Sequence, residues 1–198
     1  MIKNLIVIGN DKISGKVVKK IFNDEECIIY VDKSTGISRV IRLLLANVIS
    51  PFLIMKMLVS ELLRKGHRPD IKFLSIRHND DLLRVISKHK PARLILFRAG
   101  LIINKSVLEA GVPILNIHAA MVPDYGGIGS ISRAIKDGAY DQYASLHVVT
   151  AQIDKGEVID KVSYRLNPHF SYCQNEAVAY RAAQQLFLKT IHGKEHLD

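Results

Sequence analysis

Hydrophobic residues along this chain fall into short dense runs, separated by turn residues and by stretches of helical period. Leu5 to Ile8, Cys27 to Val31, Ile71 to Ile76, Leu94 to Phe97 and Ile114 to Ile117 read as buried strands. Ser14 to Phe22 and Asp80 to Lys90 read as helices, and Leu82, Leu83 and Ile86 share one face of the second. Further on, Ser130 to Asp137 predicts a short helix closed by Gly138. Ser145 to Thr150 and Val158 to Tyr164 alternate as strands do, and Asn175 to Thr190 closes the chain as an amphipathic helix. Alternation of this kind predicts an α/β fold, an open and mostly parallel sheet with helices on both faces. The less regular end of the chain leaves room for an antiparallel excursion.

One segment departs from the alternation. Ile41 to Leu63 reads IRLLLANVISPFLIMKMLVSELL, but its uncharged part runs only from Leu43 to Met55. That is short of the roughly 20 residues needed to span a bilayer, and Pro51 ends or kinks any helix there. Arg39, Arg42, Lys56, Arg64, Lys65 and Arg68 border it. The pattern predicts a helical apolar insertion at about 38–66. Its two short helices would cover the sheet or form a homodimer contact; the alternative is a basic amphipathic element touching an anionic membrane surface.

Length and composition place the rest. The 198 residues, 48% of them hydrophobic, suit a single domain over 1–198 with a sizeable core. A formal charge of +9 points to an anionic partner such as a nucleotide, a phosphorylated metabolite, nucleic acid or an acidic membrane. Cys27 and Cys173 form no CxxC pair and read as free thiols. Met1 leads at once into the Leu5 strand, with no secretory h-region, so the expected location is cytoplasmic.

The chemistry concentrates between Ile114 and Ile159. Asn116 and His118 are two apart on a predicted strand, so they point to the same side of it. They stand at its C-terminal end, the edge where open α/β sheets bind ligands. Pro123, Gly126 and Gly127 shape the loop that follows, and Asp154 precedes Gly156 in a tight turn. Acyl transfer to an amine develops an oxyanion, which an amide such as Asn116 can stabilise; losing one such donor typically costs about 3–4 kcal/mol of barrier. The amine must also lose protons, a task for His118, and a carboxylate such as Asp154 would orient that ring.

These parts occur in a recognisable order: Asn116-Ile-His118, then Met121-Val-Pro123-Asp-Tyr125-Gly-Gly127, then Ser145-Leu-His147, then Asp154-Lys-Gly156. With the upstream LILFRAGLIINKSVLEAG, the stretch of about 92–164 resembles the glycinamide-ribonucleotide/methionyl-tRNA formyltransferase family. The resemblance implies a Rossmann-like fold, N10-formyltetrahydrofolate as donor, and Asn116, His118 and Asp154 as the catalytic set. It implies a pterin site formed by Gly100, Leu101, Ile102 and Ile103 together with Val149, Ile153 and Gly156. It also places Tyr125, Gly126 and Gly127 at the acceptor.

His147, flanked by Leu146 and Val148, reads as a satisfied core or supporting histidine. His192 and His196 are i, i+4 but lack further ligands, so no metal site is expected. Ser130 and Ser132 lack a Gly-x-Ser-x-Gly elbow and are expected to cap or line their helix. After its first strand the chain has Gly9-Asn10-Asp11, not the Gly-Ser-Asn order of the glycinamide-ribonucleotide enzymes. It stops soon after its closing helix, where the methionyl-tRNA enzymes resemble one another in a further RNA-binding barrel. The expected acceptor is therefore a nucleotide-linked amino sugar of surface-polysaccharide biosynthesis, whose diphosphate suits the basic charge, with no nucleic-acid partner; the alternatives are a phosphoribosylglycinamide-type formyltransferase of purine synthesis and a non-enzymatic, membrane-associated Rossmann-like module.

Overall fold

The computed structural model describes residues 2–69 and 74–193. Seven strands form one sheet in the order β3-β2-β1-β4-β5-β6-β7. They are β1 (Asn4–Gly9), β2 (Cys27–Asp32), β3 (Ser75–Ile76), β4 (Arg93–Phe97), β5 (Ile114–His118), β6 (Asp141–Val148) and β7 (Val158–Arg165). Strands β1 to β5 pair in parallel, whereas β6 pairs antiparallel with β5 and β7 antiparallel with β6. This is the Rossmann-like α/β architecture with the antiparallel end that the pattern predicts. Of the strand expected over Ile71 to Ile76, Ile71 to Phe73 lie outside the described residues.

The pleat divides the apolar runs between two cores. On one face Ile6, Ile8, Ile95 and Phe97 pack with Val17 and Ile21 of α1 (Lys12–Ile21) and with Ala183 and Phe187 of the closing helix (Tyr172–His192). On the other, Leu5, Val7, Leu94 and Leu96 pack with Leu82 and Ile86 of the Asn79–His89 helix and Val107 of the four-residue turn Lys105–Leu108. Helices therefore cover both faces, as continuous apolar strands require.

The apolar insertion is helical, as α2 (Ile37–Leu45) and α3 (Pro51–Leu63), and Ser50 caps α3 at the Leu53 amide. In chain order, the remaining helices are α4 (Asn79–His89), α5 (Lys105–Leu108), α6 (Ser130–Lys136) and α7 (Tyr172–His192). Helix α3 packs chiefly on α7 rather than spreading over the sheet, because α1 and α7 already occupy that face.

Strand order reverses between β1 and β4, and their C-terminal ends nearly touch. A Cβ on Gly9 would stand 2.6 Å from the Arg98 carbonyl, so only glycine fits there. This switch point and the neighbouring end of β5 form the rim where such sheets bind ligands.

Candidate active site

Register brings the first two polar groups together. Asn116 of β5 lies directly opposite His147 of β6, and His118 opposite Ser145. Opposed residues of an antiparallel pair share a face, as do residues two apart. Asn116 Nδ2 accordingly stands 3.1 Å from His147 Nε2. The other ring nitrogen of His147 lies 3.0 Å from the Val148 carbonyl, which makes Nδ1 the protonated nitrogen and Nε2 an acceptor in the neutral ring. Next to His147 the β6–β7 register shifts: Leu146 pairs with Asp160 but His147 with Val158, leaving Ile159 as an extra residue.

Asp154 arrives from the loop between β6 and β7 with a left-handed backbone, φ 51°. Its Oδ1 accepts from Asn116 Nδ2 at 3.3 Å and lies 3.4 Å from His147 Nε2. Its Oδ2 accepts from the Gly127 amide at 2.7 Å and lies 3.6 Å from His118 Nδ1. The far nitrogen of that ring, Nε2, is 3.0 Å from the Tyr125 carbonyl. The structure thus gathers Asn116, His118 and Asp154 around one carboxylate, with His147 as a fourth member.

Two glycines make the approach of Asp154 possible. A Cβ on Gly126 would stand 2.8 Å from the Asp154 Cβ, and one on Gly156 would stand 1.7 Å from the Val148 carbonyl. Arg133 of α6 holds the glycine loop from its far side, donating to the carbonyls of Gly126 and Ile128. Gly126 and Gly127 are therefore engaged in seating Asp154, and Tyr125 contributes its carbonyl to His118. The α6 N-cap is Gly129, without a side-chain cap, so Ser130 does not cap its helix. Ser130 is buried instead.

The electrostatics follow from these partners. Burial opposes charge on Asp154, but the adjoining His147 and His118 rings and the Gly127 amide outweigh it, and the carboxyl sits well below the usual range. Burial lowers His118 below an ordinary histidine, against the opposing pull of Asp154 and the Tyr125 carbonyl. At neutral pH the His118 ring is therefore uncharged. What keeps Asp154 ionised there is the pair of N–H donors from Gly127 and Asn116.

The expected pterin segments flank this cluster in the chain. Gly100 and Leu101 amides donate to Asp32 Oδ2 at the end of β2, at 2.5 and 2.9 Å. The Ile102 carbonyl accepts from Asn79, and the Val149 amide bonds to the Ile114 carbonyl. Ile102 and Ile153 keep 53% and 60% of their surface exposed, and Val149 and Leu101 are half-buried against the core. Pinned backbone with exposed aliphatic side chains suits a flat apolar ring system. No group of three or more His, Cys, Asp or Glu among the described residues is placed to hold a metal ion. His192 lies 3.9 Å from Asp24, and His196 falls outside the described residues.

Sequence reasoning missed Arg133, Asp32, and the Arg98–Asp11 pair at the β1/β4 switch. In the latter, Arg98 Nε donates to Asp11 while its guanidinium lies 4.2 Å over the Tyr180 ring. Only His147 had a signal, the Ser-x-His spacing.

The formyl transferase family profile matches residues 56–191. The chain belongs to the formyl transferase family. Enzymes of this family take the formyl group from N10-formyltetrahydrofolate. The chain is 25% identical over 168 residues to the methionyl-tRNA formyltransferase of Francisella tularensis subsp. novicida, covering 82% of this chain and 50% of the relative. It thus spans about half the length of the curated relatives it matches. Among solved structures, phosphoribosylglycinamide formyltransferase from Anaplasma phagocytophilum superposes with TM-score 0.68 at 15% identity, over 96% of this chain and 84% of that one. A 4-N formyltransferase from Francisella tularensis gives 0.62 at 17%, over 96% and 68%. A Mycobacterium tuberculosis protein described as an uncharacterised, likely sugar N-formyltransferase gives 0.67 at 13%, over 96% and 66%. These structural likenesses concern the fold.

Proposed function

We propose that this protein transfers a formyl group from N10-formyltetrahydrofolate to the amine of a nucleotide-linked amino sugar. The observation that carries the reaction class is the convergence of Asn116, His118 and Asp154 at the C-terminal end of β5. When bound, the donor supplies an electrophilic formyl carbon. One of the two Asn116 Nδ2 hydrogens, the one that rests on Asp154 at 3.3 Å, turns to the oxygen of that carbon as it gains charge, while the other stays on His147. His118, neutral at working pH, takes a proton from the attacking amine and returns one to the leaving nitrogen. Asp154 stabilises the imidazolium formed between those steps.

The first helix bears on the acceptor. Helix N-termini attract phosphate, but at α1 the Asp11 carboxylate already fills that role, accepting from the Ser14 amide at 2.9 Å and from Arg98. A ribonucleotide phosphate finds its place taken. The net charge of +9 still favours an anionic acceptor, for which a diphosphate-linked sugar is suited. The reading is tested by incubating the protein with N10-formyltetrahydrofolate and a panel of amino-sugar nucleotides, with glycinamide ribonucleotide as rival. Formyl gain is followed by mass spectrometry. Formylation of the rival alone would overturn the sugar assignment, and formylation of neither would overturn the enzyme assignment.

A further inference from the structure

Helix α3 turns its few polar groups inward, beside Leu53, Ile54 and Met57, and leaves an apolar arc outside. Its inward side carries polar groups: Ser60 donates to Glu176 of α7, and Arg64 bridges Glu176 at 2.5 Å and Glu61 at 2.8 Å. Lys12 of α1 closes the same end, donating to the Leu62 and Arg64 carbonyls at 3.1 and 2.8 Å. The outward arc is wholly apolar. Phe52, Met55, Leu58, Val59, Leu62 and Leu63 all fall on it at helical spacing, and all are exposed. Helix α2 and the turn after it extend the surface with Ile41, Leu45 and Val48. An apolar area this continuous on an otherwise basic protein marks a contact surface.

The charges around it select the occupant. From 37 to 68 the chain has six Lys or Arg and a single acidic residue, Glu61. Glu61 is already engaged by Arg64, by Arg68 at 3.5 Å and by the Lys12 amide. Arg42, Lys65 and Arg68 stand exposed at the border, and Lys56 lays its ammonium 4.3 Å over the Phe52 ring, flanking the apolar arc. A second copy of this face would bring like charges together with no free carboxylate to meet them. An anionic lipid surface supplies both acyl chains for the arc and phosphate for the border. No helix among the described residues is long and apolar enough to cross a membrane, so the contact runs along the surface.

We propose that the α2–α3 face docks on an anionic lipid bilayer, with α3 lying in the plane of the interface. The docked face adjoins the candidate active site. Gly129, two residues beyond the amide that holds Asp154, lies so close to α3 that an added Cβ would stand 2.7 Å from Leu53 Cδ2. Docking therefore places α3 between the membrane surface and the glycine loop, which packs on the helix's inner side.

The test is sedimentation of the intact chain with phosphatidylcholine vesicles, with and without phosphatidylglycerol. The expected result is binding to the anionic vesicles that weakens about tenfold or more on phosphatidylcholine alone and in high salt. Leu58 and Leu62 are 60% and 76% exposed, so L58E/L62E spares the fold. This double variant should lose vesicle binding while keeping its circular dichroism and melting temperature. Absence of binding by the parent protein overturns the proposal, as does undiminished binding by the double variant. A parent dimer that the double variant splits, without vesicle binding, would assign the face to a second copy instead. None of these readouts depends on formyl transfer.

Discussion

The side-chain amide of Asn116 faces the imidazole of His147 across the β5–β6 pair, with Nδ2 at 3.1 Å from Nε2. Because the ring spends its Nδ1 proton on the Val148 carbonyl, the contact fixes which end of the amide points inward. A reversed amide would set its oxygen against both a ring lone pair and the Asp154 carboxylate. His147 thus acts on Asn116 as Asp154 acts on His118, as a positioning partner.

Replacing Asn116 with alanine should lower kcat about 100- to 1000-fold with little change in donor affinity, since the contact matters where charge develops. Replacing His147 with phenylalanine should produce a smaller fall in kcat with KM held, because the amide loses its aim but remains present. Steady-state kinetics of both variants and of the double variant check this. Additive losses would show that the two residues act independently.

The lowered His118 predicts an activity limb on the acid side, below the ordinary histidine value of roughly 6.5. Asp154 is the group that raises His118, so Asp154→Asn should move that limb to still lower pH while cutting turnover by orders of magnitude. A kcat/KM profile against pH reads both effects. A limb that stays in place would mean that His118 is not the titrating base.

Folding stability should follow the same groups. A histidine lowered by folding leaves the unfolded chain with more protons, so stability falls as pH drops through about 6.5 towards the folded value. Asp154, depressed in the fold, adds a second loss below about pH 4, where the unfolded carboxyl takes up a proton first. Denaturant titrations at several pH values should show the His118-linked loss reaching to lower pH in Asp154→Asn than in the parent, because the carboxylate that raises the ring is gone.

Gly156→Ala would place a Cβ 1.7 Å from the Val148 carbonyl, a backbone atom that cannot turn aside. The β6–β7 hairpin must open, and a loss of about 1–3 kcal/mol or more is expected. Calorimetry measures it. Gly111→Ala is the contrasting control: its added carbon meets nothing within 4 Å, so its cost comes from its φ of +74° alone.

Arg64→Met should destabilise the protein by about 3 kcal/mol or more, because Glu176, with 5% of its side chain exposed, would lose its counter-charge. The same variant with Glu176→Gln should recover much of that loss. Melting temperatures of the two variants and the parent decide it.

The strands were legible because burial on both sides of a sheet writes continuous apolar runs, and Asn116 and His118 because two-residue spacing means one face. Asp154 was legible from its place before Gly156. What lay hidden depends on register and on distant pairing. His147 shows its role only once β6 is known to run antiparallel against β5, since any slip turns its ring to the other face. Arg98 and Asp11 lie 87 positions apart, and no local pattern joins them. The orientation of α3 was hidden too. Its residues are apolar nearly all round, and the few polar ones find their direction only when Glu176 arrives from α7.

The N–H groups that donate to Asp154 come from far along the chain, Gly127 at 27 positions and Asn116 at 38, and of its neighbours only His147 belongs to the same hairpin. None of these bonds can form before the β6–β7 hairpin lies against β5. A chain whose hairpin has come away would retain the parallel half of its sheet and the helices on it, yet have no assembled site. Under mild denaturant, catalysis should therefore fail before the helical signal does, and amide exchange in the hairpin should track the loss of activity.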